Sequence, residues 1–172
     1  MHRAGARCGD GGEMRELILA RHAKSDWGDA RLADHDRPLN ARGLRDAPRM
    51  ARHLAADGVT VERILASTAL RARSTAEVYG AQLGVAVELD AELYLAPAQT
   101  LLRKAAASGA SSVMIVAHDP GISDLASLLS NDGILHMPTC AVARFVWSVD
   151  SWGDAITHSV DDWSFAAPKL LA

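Results

Sequence analysis

Apolar residues along this chain come in short unbroken runs, set apart by longer stretches in which they recur every three or four positions. Residues 17–20 (Leu-Ile-Leu-Ala) and 112–117 (Ser followed by Val-Met-Ile-Val-Ala) have the length and composition of strands buried on both faces. Residues 61–66 predict another strand, and residues 85–89 alternate like one. Between these runs the period is helical. Asn40 caps a helix with Leu44, Ala47, Ala51, Leu54 and Ala55 on one face, and Gly58 stops it. Pro48 inside that pattern predicts a kink or a separate first turn. Ser67-Thr68 offers the cap of a second helix, with Ala72, Ala76, Tyr79 and Leu83 on its buried side. Residues 97–107 make a third helix closed by Gly109, and Pro120 opens a fourth backed by Ile122, Leu125, Ala126 and Leu129. Residues 140–147 and 155–160 predict two antiparallel strands joined through a turn at 150–154. Residues 161–172, with Trp163 and Phe165, then cover the sheet edge. Strands alternating with helices predict an α/β protein with a mostly parallel sheet.

Composition narrows the class. The 172 residues suffice for one domain with a substantial core, and 49% apolar with 23% charged residues describes a globular chain, not a disordered one. A formal charge of −3 leaves no basic footprint, which argues against nucleic acid and anionic membrane as partners. No apolar run approaches the length of a membrane span. Cys8 and Cys140 lie far apart without metal-ligand spacing and read as free thiols in a reducing cytosol. Residues 1–13 are polar and rich in Gly and Arg, so they read as a loose N-terminal tail and not a secretory signal. Met14 is then a candidate natural start, and residues 14–172 a single domain.

Candidate chemistry sits where the strands stop. The first run ends at Arg21-His22, and the carboxyl ends of strands are where open α/β sheets bind ligands. An arginine fork grips phosphate oxygens and an imidazole can attack phosphorus. Alone, the pair is no more than a solvated strand end. Arg71, however, falls in the first turn after another strand, where a cation opposes the helix dipole, and His118 ends the 112–117 strand ahead of Pro120-Gly121. The loop 28–38 carries Asp34, His35 and Asp36, which invite a metal reading. Adjacent residues of an extended loop point apart, so that reading is set aside.

With these residues in place, the chain resembles the histidine phosphatase superfamily, which contains the cofactor-dependent phosphoglycerate mutases. Within it, the chain is similar to the short phosphohistidine phosphatase branch, SixA-type. Arg21-His22-Ala23 matches the family's Arg-His-Gly signature, with the alanine of the short branch. Residues 37–43 (Arg-Pro-Leu-Asn-Ala-Arg-Gly) match the branch's Arg-Pro-Leu-Asn-x-x-Gly segment. Residues 67–75 match Ser-Pro-x-x-Arg-Ala-x-Gln-Thr, and residues 117–121 (Ala-His-Asp-Pro-Gly) match Gly-His-Asn-Pro-Gly. The resemblance implies a three-layer α/β/α fold with antiparallel strands at one sheet edge. It makes His22 the phosphorylated nucleophile and Arg21, Arg71 and His118 its phosphoryl-binding partners. Ser25, Arg37, Asn40 and Asp119 become substrate-binding candidates, with no metal or other cofactor.

The implied activity is a metal-independent phosphatase acting on phosphohistidine, free or on a protein of the histidine phosphotransfer type in a cytoplasmic phosphorelay. The motifs equally permit a phosphatase of small phosphate monoesters. A non-catalytic phosphate-binding module is the rival from another class, but a binder needs only the arginines. Two departures from the family pattern stand out. Asp119 replaces the usual Asn and is expected to turn away as a helix N-cap. Leu95 falls where many relatives carry a glutamate acid, and Glu92 is out of register with it. Asp119 and Asp36 are the carboxylates that could substitute.

Overall fold

The structure is a computed structural model that describes residues 13–171; the tail expected over 1–13 lies outside them apart from Glu13, as does Cys8. Six strands form one sheet in the order β3-β2-β4-β1-β5-β6. These are β1 (Arg15–Arg21), β2 (Arg63–Ala66), β3 (Val87–Leu89), β4 (Ser112–Ala117), β5 (Val142–Trp147) and β6 (Asp162–Ala166). The β3-β2-β4-β1 part is parallel, while β5 and β6 add antiparallel at one edge.

Helices cover both faces. α1 (Ala41–Ala56) and α2 (Leu70–Leu83) pack on one side, α3 (Ala98–Ala106) and α4 (Gly121–Leu129) on the other. Side chains alternate across a strand, so one buried run serves two cores. Leu17 and Leu19 face α3 and α4, whereas Ile18 and Ala20 face α1 and α2. Met114 and Val116 of β4 join the second set, Val113 and Ile115 the first. This is the expected three-layer α/β/α arrangement.

Several local expectations are corrected. Residues 155–160 are not a strand. Ser151 Oγ accepts from the Asp154 backbone N–H at 3.0 Å and starts a short helix, α5 (Trp152–Ala155). Trp152 is buried edge-on against Trp147 and donates to the Ala110 carbonyl, which pulls this segment off the sheet. The last strand falls instead at β6, so the segment expected to cover the edge is itself the edge strand.

Leu44 is 63% exposed, because Gly43 turns inward against the Lys24 carbonyl, which a Cβ there would meet at 2.2 Å. α1 runs unbroken through Pro48. The carbonyl that Pro48 leaves unserved belongs to Leu44, on the solvent side, where water can take over. Ser67 and Thr68 do not cap α2; Ala69 holds that position without a side-chain bond, and Ser67 is engaged elsewhere. Pro120 precedes α4 as its cap residue and is not its first residue.

Candidate active site

Register brings the site together. β1 and β4 pair with Arg21 opposite Ala117, and β2 and β4 pair with Ala66 opposite Val116. The next residue of each strand, His22, His118 and Ser67, therefore emerges at the same edge. The His22 backbone N–H still reaches the Ala117 carbonyl at 3.1 Å, and that of Ser67 reaches Val116 at 3.0 Å. The two imidazole centroids stand 5.1 Å apart. Both rings are nearly closed off from solvent, with residue exposures of 7% for His22 and 2% for His118.

Hydrogen bonds assign the ring nitrogens. His22 Nδ1 lies 2.8 Å from the Ala23 carbonyl, an acceptor only, so Nδ1 carries the proton and Nε2 keeps its lone pair. The loop behind it is pinned where the Ala23 N–H donates to Thr75 Oγ1, whose hydroxyl donates to the Arg71 carbonyl. His118 Nε2 sits 2.7 Å from Ser67 Oγ, and His118 Nδ1 is buried with no protein partner. Burial, followed by the nearby Arg71 and Arg21, lowers the His22 pKa to about 4. Burial, then His22 and Arg71, lowers that of His118 to about 3. Both rings are neutral near pH 7.

Around them lies a pocket of about 200 Å³ lined by Arg21, His22, Lys24, Ser25, Trp27, Asp34, Arg37, Arg71, Leu95, His118, Asp119 and Thr139. Four cations face two carboxylates, which suits an anion. Arg71 comes from the first turn of α2, and its two terminal nitrogens are held by the Asp34 carbonyl at 2.7 Å and Asp34 Oδ2 at 2.9 Å. Asp34 Oδ1 accepts from Arg37 at 3.0 Å, and Oδ2 also accepts from the Tyr94 hydroxyl at 2.5 Å. The Tyr94 hydrogen bond and the Arg71 guanidinium hold the Asp34 carboxyl at about 2. Arg37 is 6% exposed and also donates to Ser25 Oγ at 2.7 Å and the Asp26 carbonyl at 2.9 Å.

The pocket includes seven of the eight candidate residues read from the sequence. Asn40 is the exception: its side chain accepts from Gly43 N–H at 2.9 Å as the cap of α1. Asp119 does not cap α4. Its Oδ2 lies 3.3 Å from Arg21 and 3.5 Å from His136, while Oδ1 accepts from Ser123 Oγ at 2.5 Å. A carboxylate beside a guanidinium gains more from that pair than from a neutral amide. Leu95 does line the mouth, whereas Glu92 is ion-paired with Lys104 at 2.8 Å, outside the pocket. Asp36 is solvent-exposed beside His35 and likewise outside it.

Sequence reasoning passed over Asp34, Ser67 and Thr75. Asp34 was weighed only as a metal ligand, yet it ties Arg71, Arg37 and Tyr94 together; Ser67 and Thr75 lay inside a matched motif that named only Arg71. Cys140 is buried near the site with its N–H on the His22 carbonyl, and burial pushes its thiol up to about 11, so it stays protonated at neutral pH.

The comparisons agree with this geometry. The profile of the Histidine phosphatase superfamily (branch 1) matches residues 17–94. A chloroplastic protein of Arabidopsis thaliana, uncharacterized, is 33% identical over 160 residues, covering 84% of this chain and 72% of that one. An uncharacterized protein of Mycobacterium tuberculosis is 36% identical over 154 residues, covering 88% and 94%. The chain belongs to the histidine phosphatase superfamily, and its activity class is that of a phosphatase. Within the superfamily it falls in the SixA-type branch. A structure from Nakamurella multipartitia, assigned as phosphohistidine phosphatase SixA, superposes with a TM-score of 0.76 at 28% identity, over 92% of this chain and 99% of that one. Among the described residues no helix is long and apolar enough to cross a membrane.

Proposed function

We propose that this chain hydrolyses phosphohistidine, on a protein of the histidine phosphotransfer type or free, through a covalent phosphoryl group on His22 Nε2. The observation that supports this most is the Nδ1–H bond to the Ala23 carbonyl, which presents the opposite nitrogen unprotonated. In this scheme Nε2 attacks phosphorus in line as the bond to the leaving nitrogen breaks. Water then cleaves the new P–N bond, releasing inorganic phosphate and restoring the imidazole. Charge in such transfers spreads over the equatorial oxygens, so the protein's contribution is positioning and cationic stabilisation. Arg21, Arg71 and Arg37 supply the guanidiniums, with Ser25 and Asp119 holding two of them in place. In this scheme Ser67 Oγ, which accepts from the Ala69 N–H, donates to His118 Nε2, so that the proton sits on His118 Nδ1 as a buried donor for a phosphoryl oxygen. No step calls on a metal or cofactor, and a phosphorelay substrate puts the enzyme in the cytosol.

The choice of phosphohistidine over alkyl esters follows from proton supply. Expelling an alkoxide needs an acid, a contribution of roughly 10²–10⁴-fold. Asp34, held at about 2, is ionised near neutral pH and has no proton to give. Asp119 is paired with Arg21, and Leu95, which the family resemblance sets against a glutamate acid, lines the mouth with no proton to give. An imidazole leaving group takes its proton from solvent on the far nitrogen. Catalytic efficiency should therefore be at least about 10²-fold higher on phosphohistidine than on glycerol phosphate. Equal efficiencies on the two would refute the assignment and favour a broad phosphate monoesterase.

A further inference from the structure

Trp27 is the largest side chain at the mouth of the pocket and also among the most exposed, at 72%. A large aromatic left in water beside a polar pocket carries a desolvation gain that the free protein does not use. Its ring is nonetheless fixed. The Arg37 guanidinium lies over it with Cζ 3.1 Å from the ring centroid. Arg37 in turn is held by Ser25 Oγ, the Asp26 carbonyl and Asp34 Oδ1, and is itself buried. One indole face is thus covered by an immobile cation, and the exposure belongs to the other face and edge. Leu95, 53% exposed, lines the same mouth.

We infer that the open face of Trp27 is a stacking platform that selects substrates whose leaving group is a flat aromatic ring, imidazole or phenyl. Trp27 and Leu95 line the same pocket as His22 and His118, so what trails behind a phosphoryl group bound at the histidines is positioned to meet them. Stacked rings gain beyond their buried area, and a ring already pinned on one side loses little freedom on accepting a partner. A protonated imidazole gains further from the indole face. Trp27 is in this account a specificity residue, not a participant in phosphoryl transfer. The inference deepens the proposed function and rests on its phosphate site.

Binding of two non-hydrolysable probes separates the two ideas. By titration calorimetry, phenylphosphonate should bind the wild-type protein about 5–10-fold more tightly than methylphosphonate. Trp27→Ala should erase that preference, and Trp27→Phe should restore most of it. If Trp27 merely braced Arg37, Trp27→Ala would weaken both probes alike and keep their ratio, which overturns the platform. Equal affinities in the wild type overturn the platform while leaving the phosphate site standing. Binding of neither probe overturns both.

Discussion

Of the concavities among the described residues, one beside the sheet edge is far larger than the pocket at His22 and less suited to chemistry. A groove of about 720 Å³ runs beside the edge strand β6, lined in part by Leu102, Leu128, Ile156, His158, Asp162 and Trp163. It is more than three times the volume of the pocket at His22, about 200 Å³. Its histidine is exposed and spends Nδ1 on the Asp154 carbonyl of the same short segment. Among the described residues no arginine or lysine lines it. The smaller pocket gathers residues that follow the ends of parallel strands, and its Arg21, Arg37, Arg71, Asp34 and Asp119 are each held by a second residue. Size reports how the surface folds; convergent, braced charge reports what a site can do.

The sharpest way to break this contrast is a matched pair of substitutions. Arg71→Lys keeps the charge but loses the fork that Asp34 positions, so turnover of an aryl phosphate should fall about 10²-fold. His158→Gln in the larger groove should leave turnover within about 2-fold. Comparable losses from both, measured as kcat/KM, would show that the two regions are not so different.

A second effect concerns protons. Burial depresses the pKa of both site histidines below 6.5, to about 4 for His22 and about 3 for His118. Between pH 6.5 and 4 the unfolded chain binds protons that the folded chain refuses. Stability should therefore be fully present above pH 6.5 and decline as pH falls towards 4. The loss should be on the order of 3 kcal/mol per histidine at its lower end. Denaturant midpoints at pH 7.5 and 4.5 measure it, and His22→Gln should reduce the difference. An identical pH dependence in the variant would mean that His22 is not held neutral by its surroundings.

How much of this could be read without coordinates differs between regions in the same way. Buried strands announce themselves as apolar runs, and Arg21-His22 and His118 follow directly from where those runs stop. Arg71 was legible from its strand-end position and its matched motif. Asp34 was not, because a carboxylate on an irregular loop carries no period, and its partners Arg71 and Tyr94 lie 37 and 60 residues away. Asn40 was read as both cap and ligand-binding residue, and one side chain cannot serve both once Gly43 N–H has taken it. The edge was misread for a related reason. An edge strand is half solvated, so its apolar signal is weak, and residues 155–160 imitate it as well as β6 does. Only the burial of Trp152, a long-range event, decides between them.

Trapping the phosphoryl group tests the central claim most directly. The protein is mixed with radiolabelled phosphohistidine, quenched in alkali within milliseconds, digested and mapped by mass spectrometry. The label should be acid-labile and alkali-stable, sit on the peptide containing His22, and disappear in His22→Ala. A label on any other residue, or turnover persisting in His22→Ala, would contradict it.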